Sequence, residues 1–290
     1  IWNAPKTIFK VFKYLKKVDI FQLRAPTGIG VYLIPVLTVF TGKEGWFKYA
    51  GNWNQENPPF GYAIQRWFLK KQKRHVTING RWPNQPEQCL TFENPCLTEK
   101  YRLEGDNTRA NKSYNKPFIY CFAGRLEDEK GVRRIIEAFK LIEDKKQVKE
   151  VHLIGNGSNL EAYKTLVSNL EITFTFHGFL KYTEVFEIFK QAHFFLLPSS
   201  ASEGFPKVIA ESVNFGCIPI VSGVSSIGQY IQNGKNGFVN TPNTSENLKN
   251  IIETTHKLSS NELKEMQSDT HLINLFTYSY YLERIQSEIK

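Results

Sequence analysis

Three groups of residues have the types and spacing to do chemistry. The first is a pair of carboxylates, Glu203 and Glu211, in SEGFPKVIAES (202–212). Pro206 suits the first helical position, which places the amides of Gly204 and Phe205 at a helix start. Gly204 would let a ligand approach the backbone closely. Glu203 then sits at the loop tip and Glu211 further along the helix. The bland alternative is a cap and a solvated side chain. The second group is Arg125 and Lys130 in GRLEDEKG (124–131). Arg supplies a planar fork, Lys a point charge, and free amides complete an anion cradle of the kind a diphosphate needs; the alternative is two surface cations. The third group is a set of glycine loops: Gly155-Asn156-Gly157, His177-Gly178-Phe179 and Ser222-Gly223. Singly, each is a tight turn. With the segments of the first two groups they make five on one edge, carrying cations and a carboxylate, and together point to a ligand.

That edge is set by the surrounding pattern. Strand-like runs FIYCFA (118–123), VHLI (151–154), ITFTF (172–176), HFFLL (193–197) and CIPIV (217–221) alternate with helical stretches over about 130–142, 158–169, 182–190 and 206–215. A short helix is expected near 226–232 and a further helix near 245–257, with one more over about 270–289. Apolar strands alternating with helices predict a parallel sheet covered on both faces, where ligands bind beyond the carboxyl ends of the strands. Residues 98–116 are polar and aperiodic and read as a linker. Before them lies a shorter α/β pattern with roughly three strands: a basic helix over 5–17, strand VDIFQL (18–23), helix 28–40, strand WFKYA (46–50), helix 60–71 and strand HVTING (75–80). The chain opens on Ile1 rather than Met and reads as a fragment whose first sheet begins partway. Any site that needs both walls of a two-domain cleft is therefore expected to be incomplete.

Composition narrows the class. The 290 residues are 41% hydrophobic and 22% charged, as in soluble globular proteins. The longest apolar run, 28–40, is too short to span a bilayer. Cys89, Cys96, Cys121 and Cys217 form no CxxC pair and read as reduced thiols. No D-x-D or His/Cys metal spacing occurs, and no GxGxxG follows a strand, which argues against a nicotinamide dehydrogenase. The net charge of +9 lies wholly in residues 1–100, with 15 Lys/Arg against 6 Asp/Glu. All five tryptophans, Trp2, Trp46, Trp53, Trp67 and Trp82, lie there too. Such a surface suits an anionic partner or is simply a solvated face. On the first helix Lys6, Lys10, Lys13 and Lys17 share a face, with Ile8, Phe9, Phe12 and Leu15 mostly elsewhere.

Taken together, these residues resemble the family 4 retaining glycosyltransferases. Glu203 and Glu211 match that group's E-x7-E pair, and GRLEDEKG (124–131) its phosphate-binding stretch. HLIGNG (152–157), FHGF (176–179), LPSSASEGFP (197–206) and NGKNGFV (233–239) follow in the same order and spacing. The likeness covers about 117–289 well and the N-terminal third more loosely, through VDIFQLRAP (18–26) and WFKYAGNW (46–53). It implies the GT-B fold, two Rossmann-like α/β domains facing a cleft, the first incomplete. The expected boundaries are 1–97, a linker over 98–116, a nucleotide-sugar domain over 117–269, and a final helix over 270–290 that returns to the first domain, carrying Phe276, Tyr278, Tyr280 and Tyr281. The resemblance gives Arg125 and Lys130 the donor diphosphate, Glu203 the donor sugar and Glu211 the ribose diol. Gly204 and Phe205 amides, with the loop at Gly155 and Gly157, serve sugar or phosphate, and Gly178 and Phe179 border the base. It implies no metal or other cofactor and a glycan or lipid-linked acceptor; a cytoplasmic protein is expected, its basic first third suited to an anionic membrane surface, with no nucleic-acid partner. Two positions depart from the pattern. Arg24 stands where relatives carry a sugar-contacting His, and Gln229 where a Glu is common. These departures keep open a non-catalytic nucleotide-sugar-binding subunit; a same-fold epimerase is disfavoured by the E-x7-E pair.

Overall fold

A computed structural model describes residues 3–289; Trp2 lies outside them. The chain folds into two compact units: Ile1–Asn94 with Ser202–Phe205 and Tyr281–Lys290, and Pro95–Ala201 with Pro206–Tyr280.

The first unit runs α1 (Ala4–Leu15), β1 (Ile20–Ala25), α2 (Gly30–Phe40), β2 (Glu44–Tyr49), α3 (Phe60–Lys70), β3 (Val76–Ile78) and β4 (Cys89–Thr91). Four strands thus replace the expected three. β4 has only three residues, too few to show an alternation. The strands pair in parallel in the order β1-β2-β3-β4. Parallel neighbours point register partners to the same face, so the sheet has two distinct sides. Phe47, Tyr49, Val76, Ile78 and Cys89 join one core with Leu33, Ile34 and Leu37 of α2, Leu69 of α3 and Leu15 of α1. Trp46 and Phe92 form the other, against Ile285, with Leu90 and Tyr281 beside them. On α1, Ile8, Val11 and Phe12 pack on the core, whereas Phe9 is 74% exposed and lies among the lysines. Of the four apolar side chains expected mostly away from the lysines, Phe9 is the exception.

The second unit begins with α4 (Glu99–Asn111), a helix where a linker was expected. It escapes a periodicity search because its buried positions are Gly105 and Arg109 rather than aliphatic residues. Thr98 caps it, Arg102 bridges Glu99 at 3.0 Å and Asp106 at 2.8 Å, and Arg109 pairs with Asp106. There follow β5 (Phe118–Ala123), α5 (Val132–Leu141), β6 (Val148–Ile154), α6 (Leu160–Val167), β7 (Phe174–Gly178), α7 (Tyr182–Gln191), β8 (Phe194–Leu197), α8 (Lys207–Asn214), β9 (Ile218–Ser222), α9 (Ile227–Tyr230) and β10 (Phe238–Asn240). Every expected strand and helix between 118 and 232 is present within a few residues; β10 is additional. The six strands are parallel in the order β10-β9-β8-β5-β6-β7. β8 and β9 are buried along their whole length, which explains their unbroken apolar runs.

α10 (Ser245–Lys257) and α11 (Ser260–Gln267) follow. The single helix expected over 270–289 is instead α12 (His271–Leu275), α13 (Tyr278–Arg284) and a π turn over Ile285–Ile289. Only the part from Tyr281 belongs to the first unit. Phe276, Tyr278 and Tyr280, expected to dock there, belong to the second.

Candidate active site

In the second unit the loops beyond β5, β6 and β7 are laced by backbone hydrogen bonds. Gly124 N–H donates to Ile154 O (3.0 Å), Leu126 N–H to Asn156 O (3.0 Å), and Gly155 N–H to Gly178 O (2.8 Å). Gly155 has φ +128°, and a β-carbon there would collide with the Gly124 carbonyl; one on Gly157 would collide with that of Leu126. Both glycines are thus dictated by loop-on-loop packing. The loop after β8 is tied down as well. Ser199 Oγ (3.1 Å) and Ser200 N–H (2.8 Å) donate to Glu129 O, and Arg134 donates to Pro198 O at 2.8 Å.

The two cations on this edge differ. Arg125 is 62% exposed and pairs with Glu127 at 2.8 Å. Lys130 is 8% exposed. It does not open α5 but closes a 3-10 turn, Asp128–Lys130, and Gly131 at φ +88° then starts the helix. Gly178 ends β7 at φ +66°, and the Phe179 ring beyond it is 83% exposed. Behind them His152 Nδ1 and His177 Nε2 are 2.9 Å apart, and burial holds both imidazoles below their usual range.

Glu211 lies on α8, for which Pro206 is the N-cap rather than the first helical residue. Burial pushes its carboxyl up to about 7, against a smaller opposing pull from Lys207 one turn earlier. Lys207 donates to Pro95 O at 2.8 Å. Among the described residues none donates a hydrogen bond to the Glu211 carboxylate. Cys96 stands near: its thiol is 3.8 Å from Lys207 O, and burial first, then the Glu211 charge, raises its pKa. No spacing rule pairs residues 96 and 211.

Glu203, Gly204 and Phe205 belong to the first unit. Glu203 forms an antiparallel bridge with Gly51, and Asn52 Nδ2 donates to Ser202 Oγ at 3.0 Å. A β-carbon on Gly204 would strike the Asn79 side chain and lie 2.8 Å from Ala50 O. Gly204 is therefore required by the chain's own packing. Phe205 is buried to 5%. Asn79 holds this arrangement by donating to Ala50 O at 2.9 Å. Arg24 is exposed near the carboxyl end of β1, in register with Lys48 of β2, which is buried to 6% with its ammonium 4.6 Å from the Tyr281 ring centroid. Asn79 and Lys48 went unnoticed in the sequence, since neither sits in a recognisable motif. Among the described residues no three His, Cys, Asp or Glu side chains are grouped to hold a metal ion.

Two parallel α/β sheets, with helices packed on them and charged residues at their carboxyl edges, define a Rossmann-like class of fold. Residues 105–270, more than half of the chain, match the family model for glycosyl transferases group 1, and the chain belongs to that family. It is 26% identical over 156 residues to an uncharacterised glycosyltransferase of Methanocaldococcus jannaschii, covering 53% of this chain and 40% of that protein. It is 25% identical over 173 residues to the capsular polysaccharide biosynthesis glycosyltransferase CapM of Staphylococcus aureus, covering 57% and 43%. It is 26% identical over 155 residues to a lipopolysaccharide 1,6-galactosyltransferase of Salmonella typhimurium, covering 52% and 42%. The matches thus span about two fifths of these relatives. In fold the chain resembles Anabaena HepE, solved with UDP and glucose, at TM-score 0.75 and 17% identity over 97% of this chain and 80% of that one. It also resembles the pneumococcal O-GlcNAc transferase GtfA, solved with UDP and GlcNAc, at TM-score 0.69 and 16% identity over 96% and 59%. The fold is GT-B.

Proposed function

We propose that the chain belongs to a retaining, metal-independent glycosyltransferase. It moves a sugar from a nucleotide-diphosphate donor to a glycan or lipid-linked acceptor in cell-surface polysaccharide synthesis. Glu211 carries the reading. A partly buried carboxylate with no protein donor is poorly solvated and is relieved by a ligand that brings hydroxyls, as a ribose diol does. Arg125 and Lys130 hold the diphosphate and stabilise its charge as it leaves. Glu203 meets the donor sugar, the amides of Gly204 and Phe205 and the loop at Gly155 and Gly157 serve sugar or phosphate, and Gly178 and Phe179 border the base. Arg24 occupies the sugar-facing position at the end of β1. The relatives' roles in capsule and lipopolysaccharide synthesis, and the UDP bound to the solved neighbours, support donor and pathway class. Arg24 also favours a second reading, a subunit that binds the nucleotide-sugar without turning it over.

Calorimetry with UDP, followed by turnover of UDP-hexoses, tests both. Glu203→Gln is expected to keep nucleotide affinity within about twofold while turnover falls by roughly 10². Near-normal turnover in this variant would remove Glu203 from the mechanism. Tight UDP binding with no turnover by the parent protein would favour the binding subunit.

A further inference from the structure

The amino-terminal edge of the first sheet carries a surface that donor chemistry does not use. Because β1, β2 and β3 are parallel neighbours, their starts lie at one edge. The helices α1, α2 and α3 each run directly into one of these starts, so their last turns share that end of the unit. Side chains join them there. Arg74, before β3, donates to Thr41 O at 2.6 Å and Lys43 O at 3.1 Å, before β2. Gln72 donates to Thr38 Oγ1 at 2.7 Å.

On this end each helix turns apolar side chains into solvent. Val39 and Phe40 of α2 are 71% and 70% exposed, Tyr14 of α1 is 64% exposed, and Trp67 of α3 is 53% exposed. The helix pairs α1·α2 and α2·α3 are in contact, so the Val39–Phe40 tip is central and the two aromatic rings flank it. Around the rings stand lysines: Lys13, Lys16 and Lys17 on the α1 side, Lys70, Lys71 and Lys73 on the α3 side, all exposed. The Lys71 ammonium sits 4.0 Å from the Trp67 ring centroid. The acids in these turns are Asp19 and Glu44, so cations prevail.

An apolar tip ringed by aromatics and lysines matches a charged bilayer surface. The apolar side chains enter the acyl boundary, Trp and Tyr sit at headgroup depth, and the ammonium groups meet lipid phosphates. Among the described residues no helix is long and apolar enough to cross a membrane. We propose that this end of the first unit is a docking surface for an anionic lipid bilayer. α2 inserts its tip, and the lysines of α1 and α3 supply the electrostatic attraction.

Vesicle co-sedimentation of the chain tests this, using phosphatidylcholine alone and phosphatidylcholine with about 30% phosphatidylglycerol. The chain is expected to sediment with the anionic vesicles only, and to be released as salt rises to about 0.5 M. Val39→Ser/Phe40→Ser should lower partitioning on the order of tenfold, and Lys16→Glu/Lys17→Glu by at least about 25-fold. Phe40→Trp should retain binding, showing that the site tolerates substitution, and unchanged far-UV circular dichroism would show each variant folded. Three results would overturn the proposal: equal sedimentation with neutral vesicles, no loss in either double variant, or a self-associating chain that Val39→Ser/Phe40→Ser makes monomeric without altering vesicle binding. Direct binding of single-stranded RNA that survives the Val39/Phe40 change, with no vesicle binding by the parent, would assign the lysines to nucleic acid instead.

Discussion

Glu211 shows how one burial event links stability and binding. Its carboxyl is raised from 4.5 to about 7 by loss of water. The folded chain therefore holds a proton that the unfolded chain releases between those values. Where the native state binds more protons, stability falls as pH rises. The favourable contribution is complete below about 4.5 and is lost on passing through about 7, at a total on the order of 3 kcal/mol. Glu211→Gln should flatten this slope and melt higher than the parent at pH 8, as measured by thermal unfolding from pH 5 to 8. The same residue should make nucleotide binding pH-dependent. A ribose diol donates to the ionised form, so UDP affinity in the parent should rise about tenfold from pH 6 to pH 8. The variant's affinity should lack that rise, apart from titration of the phosphate itself. An identical profile in both would detach Glu211 from the ribose. The sequence showed Glu211 as half of a spaced pair. Its burial, and the nearness of Cys96, came from parts of the chain more than 100 residues away.

At the scale of elements, the loops beyond β5, β6 and β7 behave as one piece. Their glycines were legible as turns, but not their reason. Gly155 and Gly157 let one loop lie against the carbonyls of the next. Gly155→Ala adds a clash with backbone to a φ of +128° that L-residues rarely adopt. It should cost on the order of 2–4 kcal/mol, lowering Tm by roughly 5–15 °C. Gly228→Ala, on α9 with nothing within 4 Å of the added carbon, should stay within about 0.5 kcal/mol of the parent. Calorimetric melting of the two variants separates loop packing from a general intolerance of substitution. Equal melting temperatures would show that the loops can part without cost. α4 carries the complementary lesson. It is a helix held by a cap, ion pairs and a buried Arg109 that donates to Asn214 O at 2.6 Å. Hydrophobic periodicity is blind to it because polar contacts hold it in place.

For the whole molecule, the chain's return to its first unit is the feature with the clearest energetic consequence. Ile285 is buried to 7% with Trp46 and Phe92. Arg284 lies 4.0 Å over the Phe92 ring and 3.3 Å from Glu93, and Tyr281 OH accepts from Gln22 at 3.1 Å. Ile285→Asp places a carboxylate in that apolar cluster and should destabilise the first unit by about 2–4 kcal/mol. Every tryptophan lies within residues 1–82, so indole emission reports this unit alone. The expected result is red-shifted emission, and an earlier fluorescence transition, while far-UV circular dichroism keeps a later transition from the second unit. Coincident loss of both signals would show that the units unfold together.

Strand and helix order in the second unit was determined by the sequence itself. Strands buried on both faces must be short continuous apolar runs, and the helices covering them must be amphipathic, so each element carries its own record. The candidate residues at the strand ends could be placed for the same reason, since Arg125, Lys130, Glu203 and Glu211 stand at fixed offsets from those runs. Tertiary structure decided what depends on residues distant along the chain. It set the tip at Glu203 and Gly204 against Gly51 and Asn79, and broke the expected final helix at Phe276 and Thr277. It also ran α1, α2 and α3 to one lysine-ringed end. Such contacts leave no local period, because the partner that stabilises each residue lies elsewhere in the chain and is brought near only by folding.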